Sequence, residues 1–284
     1  MMKRNETYQY PVALTIAGSD SGGGAGIQAD LKTFSALGVF GTSAITAITA
    51  QNTKGVRGIQ SVTPDILKAQ IEAVLEDFDV KAIKIGMLHN IDIVHAVADT
   101  LVPRVNIPII LDPVMVATSG SKLLEDNAIE AIIRSLFPHV TVITPNLAEA
   151  ELLSGQRIKD TESLIQAGQR LQALGCKAVL IKGGHFTSGS EMIDRLFIND
   201  KIIEFTAPIV ETYNTHGTGC TLSSAIAAYM ALGEELTVAI SHAKQYITSA
   251  LQQGANVHAG HGHGPVNHFF NPVPLHKIPL EHVE

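Results

Sequence analysis

The sequence predicts an α/β fold in which helices cover both faces of a mostly parallel sheet. Short apolar runs alternate with helical patterns along most of the 284 residues. Most of these runs are apolar at every position, which is typical of buried parallel strands. Strands that alternate with helices are joined by crossovers, so the helices pack on the sheet. Without an internal repeat or a linker, the length indicates one domain, residues 1–284, with a core at about 12–270.

The individual elements follow from these patterns in chain order. Six strands are predicted: Val12–Ala17, Ser43–Thr49, Ala82–Ile85, Ile109–Leu111, Val140–Ile143 and Ala178–Ile181. Eight helices are predicted: Gly26–Leu37, Asp65–Asp77, Ile91–Leu101, Asn127–Leu136, Leu147–Leu153, Thr161–Leu174, Cys220–Leu232 and Thr237–Gln253. Two adjacent runs, Ile193–Asn199 and Lys201–Ala207, predict a short β-hairpin. The first ten and last fifteen residues are expected to be loosely ordered.

The composition excludes several classes of function. Hydrophobic residues make up 45% of the chain and charged residues 17%, as in globular proteins. The net charge of −7, without a basic tract, argues against binding to nucleic acid or to an anionic membrane. No apolar run approaches the roughly 20 residues that span a bilayer, and no signal peptide is recognisable. Two cysteines suit a reducing compartment, so a cytoplasmic location is expected.

The most informative stretch is Asn214-Thr215-His216-Gly217-Thr218-Gly219-Cys220, which precedes an apolar-periodic helix. Small residues allow a tight turn whose N–H groups converge, and the helix N-terminus adds partial positive charge. Cys220 falls in the first turn, where such a field favours the thiolate. The stretch therefore predicts an anion site with a potential base. From these residues alone, a plain helix start with a small buried cysteine is an equally good interpretation.

A second glycine-rich segment, Gly18–Gly26, follows the first strand and opens the first helix. Its end fits the loose fingerprint for dinucleotide binding, but no Asp or Glu lies between Asp30 and Asp65 to bind a ribose. A nicotinamide or flavin site is therefore disfavoured, and the usual P-loop pattern is absent. The segment predicts a tight turn that admits a small molecule. The alternative is a turn that only packs helix on strand.

Five polar residues lie at predicted strand ends. Asp112, with Glu149 in a first helical turn, could support hydrated magnesium. Alternatively, Asn146 caps the helix and Glu149 only interacts favourably with the dipole of that helix. Lys182 precedes two glycines, which suits a phosphate contact as well as a solvated turn. Gln51 offers a donor and an acceptor that match a heterocycle edge, although a turn amide bonded to nearby backbone is an alternative.

The C-terminal segment carries His258, His261, His263 and His268 among glycines. A zinc site would need a ligand geometry that this spacing does not provide, because there is no cysteine partner and no helical i, i+4 pair. A flexible glycine loop over a site is the favoured interpretation.

Taken together, seven ordered segments resemble the hydroxymethylpyrimidine and hydroxymethylpyrimidine-phosphate kinases of thiamine biosynthesis, a family of the ribokinase-like superfamily. The resemblance extends from about Val12 to His268 and is more specific than any single glycine loop. The segments are Ala17–Lys32, Ala50–Thr53, Lys84–Leu88, Leu111–Met115, Thr144–Glu149, Ile181–His185 and Asn214–Thr221.

The resemblance implies a three-layer α/β/α fold and an ATP- and Mg²⁺-dependent transfer to a hydroxymethyl group, commonly by a homodimer. Matching positions imply a pyrimidine site of Gly18, Asp30, Gln51, Met87, Val114 and Cys220. They imply that ATP, its metal and the anion hole are served by Asp112, Asn146, Glu149, Lys182, Thr215, Gly217 and Gly219. The metal would be held by Glu149 and Asp112, directly or through water. Catalysis would rest on Lys182, the glycine amides, and Cys220 with a lowered pKa that accepts or orients the hydroxymethyl proton.

Two rival functions are considered. The first is a pyridoxal kinase on the same frame, against which the Ala50-Gln51-Asn52 sequence favours a pyrimidine. The second is a non-catalytic pyrimidine sensor. Lys182, Glu149 and the whole Asn214–Cys220 segment are present, and this favours an enzyme.

Overall fold

The computed structural model describes residues 7–102, 106–116, 120, 123–183, 187–188 and 191–280. Its strands are β1 (Tyr8–Gln9), β2 (Val12–Asp20), β3 (Phe40–Asn52), β4 (Gly55–Ser61), β5 (Val80–Ile85), β6 (Ile109–Leu111), β7 (Val142–Ile143), β8 (Ala178–Ile181), β9 (Thr187–Ser188), β10 (Glu191–Ile198), β11 (Lys201–Pro208) and β12 (Ile278–Pro279). Its α-helices are α1 (Gly26–Ala36), α2 (Pro64–Asp77), α3 (Ile91–Leu101), α4 (Asp126–Ser135), α5 (Leu147–Ser154), α6 (Thr161–Ala173), α7 (Thr218–Ala231) and α8 (Leu236–Gly254).

The central sheet is mostly parallel, as the alternation of strands and helices predicts. Its strand order is β11-β10-β8-β7-β6-β5-β2-β3-β4, and β9 pairs with β10. The pairs from β3 across to β8 are parallel. The antiparallel pairs lie at the two edges, where β4 joins β3 and the β10–β11 hairpin joins β8. The chain leaves β2 toward β3 on one side and returns to β5 on the other, so the strand order reverses beside β2. A crevice at the carboxyl ends of the strands is expected there.

Helices cover both faces of this sheet and form two separate cores. One apolar cluster joins one face of the strands to α2, α3, α4, α5 and α6. The other joins the opposite face to α1, α7 and α8. Adjacent strand residues alternate between the clusters, as Ala13 and Leu14 do in β2. The predicted three-layer α/β/α architecture is therefore confirmed. None of the described helices is long and apolar enough to cross a membrane.

Element boundaries follow the sequence pattern where a strand or a helix face is buried and depart from it at the sheet edge. Ile91–Leu101, Ile109–Leu111 and Ala178–Ile181 have the predicted bounds. The strand β4 was not predicted, because its sequence Gly-Val-Arg-Gly-Ile-Gln-Ser is half-exposed and lacks a hydrophobic period. Its edge position explains this, since an edge strand needs only backbone partners on one side.

The described parts of the two termini are tied down, which corrects the expectation of loose order there. Tyr8 pairs with Pro279 and Gln9 with Ile278 in the two-stranded sheet of β1 and β12. Farther back, the His276 N–H donates to the Gly38 carbonyl at 2.9 Å. These contacts use backbone groups, which leave no signature in side-chain hydrophobicity.

His268 makes the stability of the fold sensitive to acid. Its side chain is buried, with Nε2 3.0 Å from Thr221 Oγ1. Burial, with a smaller effect from Lys32, lowers the pKa of His268 from 6.5 to about 4. Between these two pKa values the unfolded chain binds a proton at His268 and the folded chain does not. The free energy of unfolding therefore falls as the pH drops from about 6.5 toward 4. At about pH 5.5 the loss from this residue is expected to be about 1 kcal/mol.

Urea unfolding between about pH 7.5 and 5.5 tests this coupling. His268→Gln should flatten the decline of the unfolding free energy by about 1 kcal/mol over that range. His258→Gln is the matched control, because His258 is exposed and should leave the slope unchanged. Parallel pH profiles for His268→Gln and the wild type would contradict the assignment.

Candidate active site

A cavity opens at the carboxyl ends of the parallel strands, beside the N-terminus of α7. Its walls come from the ends of β2, β3, β5 and β6 and from the first turns of α5 and α7. All of the predicted site residues except Asp30 line it. They are Gly18, Gln51, Met87, Asp112, Val114, Asn146, Glu149, Lys182, Thr215, Gly217, Gly219 and Cys220.

Asp30 lies beneath the cavity and not among the residues that line it, and its predicted contact with substrate stays a prediction. The residue is fully buried, and both of its carboxylate oxygens lie 2.9 Å from Lys84 Nζ. Thr15 Oγ1 donates to Oδ2 at 2.6 Å, and Ser224 Oγ donates to Oδ1. With these donors in place, Asp30 serves to hold Lys84.

Lys84 does line the cavity, and sequence reasoning missed it. It is fully buried in β5. Burial alone would lower the pKa of Lys84, but the Asp30 carboxylate, followed by Cys220 and Asp112, raises it above its usual range. The buried ammonium is thus kept charged by a partner, as a buried charge must be. A lone lysine in the apolar run Ala82–Ile85 was the available signal.

The N-terminus of α7 faces the cavity through Gly217, Gly219 and Cys220. Gly217 is the N-cap with a φ of +81°, and among the described residues no side chain caps this helix. A Cβ at Gly217 would lie 1.8 Å from the Gly24 carbonyl oxygen, so only glycine fits. The Thr218 N–H donates to the Thr215 carbonyl at 3.2 Å. The N–H groups of Gly219 and Cys220 therefore remain for an anion, as the sequence predicts for a helix that starts in this way.

Lys182, which is partly exposed, and the buried Asp112 form an ion pair beside this helix start. Lys182 Nζ lies 2.9 Å from Asp112 Oδ1, and a Cβ at Gly219 would lie 3.3 Å from the same nitrogen. Burial would lower the pKa of Lys182, but the Asp112 and Glu149 carboxylates raise it. Burial would likewise raise the pKa of Asp112, but Lys182 and Lys84 hold it below its usual range. Both groups therefore stay charged at neutral pH.

Asn146 and Glu149 cap α5 and also line the cavity. Asn146 Oδ1 accepts from the Glu149 N–H at 2.9 Å, and Glu149 Oε2 accepts from the Asn146 N–H at 2.8 Å. The capping interpretation is thus confirmed. Burial raises the pKa of Glu149 to about 7; Asp112 adds to the increase and Lys182 opposes it. A second cation near Glu149 and Asp112 would relieve this repulsion.

The surroundings of Cys220 raise its pKa, in contrast to the lowered pKa that the sequence predicts. Burial raises its pKa to about 11, and the carboxylates of Asp30 and Asp112 add to the increase. Lys84 and the Gly26 N–H lower the pKa, but by less. The sequence indicated the helix N-terminus, whose field favours the thiolate. It did not indicate the burial of Cys220 or the carboxylates near it, which oppose the thiolate.

Asp20, to which the sequence analysis gave no role, organises the glycine-rich loop after β2. Its carboxylate accepts from the N–H groups of Gly22, Gly24 and Ala25 at 2.8, 3.0 and 2.9 Å. His216 Nε2 lies 2.9 Å from Asp20 Oδ2 and ties this loop to the segment before α7. An Asp two residues before Gly22 is typical of a turn of this kind and was the available signal.

Part of the cavity wall is apolar. Met87 and Val114 line it, and Leu123 belongs to the same apolar cluster as Met87. A Cβ at Gly18 would lie 2.3 Å from Met87 Cε, so the glycine lets this side chain approach the backbone. Gln51 also lines the cavity, next to Thr49 and His216. A flat heterocycle between apolar side chains, with one amide at its edge, suits this geometry.

A second cavity lies on the other side of the α7 N-terminus and shares part of the first cavity's wall. The shared residues are Asn146, Lys182, Thr215, Thr218 and Gly219. Its remaining lining is largely apolar and comes from β10, β11, α7 and α8, including Met192, Leu222, Ile247 and Leu251. Two ligands could therefore meet at the shared wall.

The histidine-bearing C-terminal segment packs beside the glycine-rich loops. The N–H groups of Gly262 and His263 donate to Thr53 at 3.1 Å each, and the His216 N–H donates to the Gly264 carbonyl at 3.0 Å. In the part of the chain that the structure describes, no three His, Cys, Asp or Glu residues cluster as metal ligands. Gly184 and His185 of the predicted Ile181–His185 segment lie outside the described residues.

The protonation state of Cys220 can be tested by alkylation with iodoacetamide. Because only the thiolate reacts and the pKa is about 11, the rate should rise about tenfold per pH unit between about pH 7 and 10. Cys220→Ala retains only the buried Cys176 and supplies the background rate. A rate that is already constant near neutral pH would mean that Cys220 is a thiolate.

Comparison with known proteins identifies the family. The model described as phosphomethylpyrimidine kinase matches residues 20–267. The hydroxymethylpyrimidine/phosphomethylpyrimidine kinase of Rhizobium meliloti is 51% identical over 259 residues, which cover 91% of this chain and 97% of that protein. The thiamine biosynthesis bifunctional protein ThiED of Geobacter sulfurreducens is 46% identical over 268 residues, which cover 94% of this chain and 54% of that protein.

A solved structure has a similar fold. Pyridoxal kinase from Bacillus subtilis, in complex with ADP, has a TM-score of 0.84 and 36% identity, covering 92% of this chain and 98% of that one. The ribokinase-like fold predicted from the motifs is thereby confirmed. With a family model that spans most of its length and relatives of this similarity, the chain is a kinase that belongs to the phosphomethylpyrimidine kinase family.

Proposed function

We propose that this kinase uses ATP to phosphorylate 4-amino-5-hydroxymethyl-2-methylpyrimidine, and then the monophosphate to the diphosphate, in thiamine biosynthesis. The relatives' names support this substrate class. The observation that carries the proposal is the single cavity in which an apolar clamp with Gln51 faces the uncapped start of α7. The heterocycle fits the clamp, and its hydroxymethyl group then reaches toward the helix N-terminus.

The nucleotide is proposed to occupy the second cavity, with its terminal phosphate at the shared wall. An apolar recess between α7, α8 and the hairpin suits a purine ring. Of the residues assigned to ATP, Asn146, Lys182, Thr215 and Gly219 line both cavities. Asp112 and Gly217 line the pyrimidine side only, where the reacting oxygen would lie. This division supports transfer across the wall.

The transfer itself would depend on charge stabilisation by groups that are already in place. Phosphoryl transfer needs positioning more than covalent help from the protein. The N–H groups of Gly217, Gly219 and Cys220 would surround the migrating phosphoryl as an anion hole. Lys182 would contribute an ammonium, which Asp112 holds at 2.9 Å. Lys84 would add positive charge from below Cys220, as the electrostatic coupling of the two groups supports.

Cys220 is proposed to orient the hydroxymethyl group and not to deprotonate it in advance. With a pKa of about 11, the thiol keeps its proton at neutral pH. It can accept a hydrogen bond from the substrate hydroxyl or donate one to its oxygen. A loose transition state requires little prior loss of the hydroxyl proton. The proposal therefore retains Cys220 at the site and drops the strong base that the sequence suggested.

Magnesium is proposed to lie near Glu149 and Asp112 and to supply charge neutralisation for the nucleotide phosphates. The donor set fits this ion, because Mg²⁺ keeps several waters and needs only one or two carboxylates. Asp112 Oδ1 already accepts from Lys182 and from Thr144 Oγ1 at 3.1 Å. Contact through water is therefore the better fit for Asp112.

A reducing compartment and a homodimer are proposed for this kinase. Both cysteines are unpaired, which supports a reducing compartment such as the cytoplasm. The family resemblance supports a homodimer. Neither nucleic acid nor a membrane is proposed as a partner, because the net charge is −7.

Pyridoxal phosphorylation is the competing activity, and one observation favours it. The pyridoxal kinase of Bacillus subtilis has the same frame at a TM-score of 0.84. In that case the side chains that contact the heterocycle edge, and not the shared fold, would determine which substrate is phosphorylated. A non-catalytic sensor is less well supported, since Lys182, Glu149 and the α7 start all line one cavity.

A coupled ATP assay over three acceptors tests the proposal. The pyrimidine alcohol and its monophosphate should each be phosphorylated with a higher kcat/KM than pyridoxal. A higher kcat/KM on pyridoxal would favour the competing activity. Tight binding of the pyrimidine without consumption of ATP would favour the sensor.

Gly217→Ala tests the anion hole. The new methyl group would meet the Gly24 carbonyl and displace the first N–H groups of α7, so kcat should fall at least about 10²-fold. Gly233→Ala is a matched control, because Gly233 also has a positive φ, +92°, but no atom lies within 4 Å of its Cβ position. The control should lose about 1–2 kcal/mol of stability and keep its kcat. Equal kcat in the two variants would remove the anion hole from the mechanism.

A further inference from the structure

Lys244 and Asp194 form a buried ion pair to which the proposed mechanism gives no role. The pair joins α8 to β10, with side chains 8% and 4% exposed and Lys244 Nζ 2.5 Å from Asp194 Oδ2. Both residues line the second cavity, to which Lys182 also belongs. A buried ion pair is often no more stabilising than apolar side chains of similar volume. The other oxygen of the carboxylate shows what this pair holds in place.

That oxygen, Asp194 Oδ1, accepts the Gly183 N–H at 2.9 Å. The backbone pairing of β8 with β10 ends at Ile181 and Arg195, so the side-chain bond attaches the chain to β10 two residues farther on. A Cβ at Gly183 would lie 1.7 Å from the Ile193 carbonyl oxygen, which shows how closely the two backbones approach. The carboxylate thus fixes the chain at Gly183.

Lys182 is therefore held by backbone bonds on both sides of its Cα. Its own N–H donates to the Pro145 carbonyl at 2.9 Å, and the next N–H along the chain is the one bound to Asp194. Its Nζ reaches Asp112 Oδ1 at 2.9 Å, beside the wall that the two cavities share. A lysine carries its ammonium on a flexible stem, so a fixed backbone limits where that ammonium can lie.

We propose that Asp194, itself held by Lys244, is a positioning residue that fixes the backbone of Lys182 and Gly183 and thereby keeps the Lys182 ammonium at the wall where the phosphoryl group passes. The inference rests on the proposed function, because it requires Lys182 to meet the transferring phosphate. Lys244 occupies Oδ2 and leaves Oδ1 to the Gly183 N–H. Because transfer depends on position, a displacement of about 1 Å can lower the rate by about 10²-fold.

The alternative is that Lys244 contacts the nucleotide itself, since it lines the same cavity. In that case the charge of Lys244 would matter, and the acceptor for the Gly183 N–H would not. The bond to the Gly183 backbone favours positioning, because a pair that only bound nucleotide would need no contact with the chain beside Lys182.

The experiment compares two double variants. Asp194→Asn/Lys244→Met keeps an oxygen for the Gly183 N–H, whereas Asp194→Leu/Lys244→Met has a side chain of similar size without one. Neither leaves an unpaired buried charge, so both should fold. The kcat of the leucine variant should be about 10- to 100-fold below that of the asparagine variant, with equal KM for the pyrimidine alcohol. Any nucleotide contact of Lys244 is lost from both variants and cancels in this ratio.

The same pair of variants in a Lys182→Met background tests whether Asp194 acts through Lys182. There the ratio of the two kcat values should fall to within about twofold, because no ammonium remains to be positioned. A ratio as large as that with Lys182 present would overturn the inference. Equal kcat values of the two double variants, when Lys182 is present, would also overturn it and would assign the pair to the nucleotide instead.

Hydrogen exchange of the Gly183 amide in the ligand-free protein gives a readout that is independent of catalysis. This amide should exchange slowly in the wild type and in the asparagine variant, and at least about tenfold faster in the leucine variant. Equal exchange rates in the two variants would overturn the inference. Failure of the proposed function is separately visible, because the wild type would then not phosphorylate the pyrimidine alcohol with ATP, whatever the exchange rates.

Discussion

Pairing of buried charges is the constraint on which the site depends. Lys84 is held by Asp30 and Lys182 by Asp112, in each case at 2.9 Å. Without the carboxylates, burial would favour the uncharged amines, and the positive field beneath the start of α7 would be lost. Without the lysines, the carboxylates would repel the incoming phosphate. Because lysines and carboxylates are paired, the charges at the floor of the cavity nearly cancel. An anion therefore meets donors in fixed positions, and the side chains need not rearrange.

The frame and the selectivity of this kinase reside in different parts of the chain. In the proposed mechanism, the donors for the phosphoryl group would be backbone N–H groups, whose positions follow from the tight Gly217 turn. Recognition of the heterocycle would instead depend on side chains that line the cavity, with Gln51 proposed at the edge of the ring and Met87 in the apolar wall. A frame shared with a pyridoxal kinase is consistent with this division, because side chains can change while the backbone donors stay.

Much of the fold could be predicted because buried strands and helix faces carry recognisable patterns of apolar residues in the sequence. The strand Ala178–Ile181 and the helix Ile91–Leu101 are examples, since each is buried and bounded by turn residues. The edge strand β4 and the β1–β12 pair depend on backbone contacts and left no such record. Within the site, glycine-rich segments marked the α7 start. Lys84 and the pKa of Cys220 depend on residues that only the fold brings together, which a linear pattern does not reveal.

The bond between Asp20 and His216 joins residues 196 positions apart. Beside it, His216 also bonds to Gly264, close to the end of the matched family region. The cavity wall thus joins a loop from the start of the polypeptide to a segment from its last third. During synthesis, the first glycine loop must wait until nearly the whole chain has left the ribosome before it meets its partner. A partly made chain would therefore carry no working pocket, and a chain broken near its end would lose activity before it lost most of its folded core.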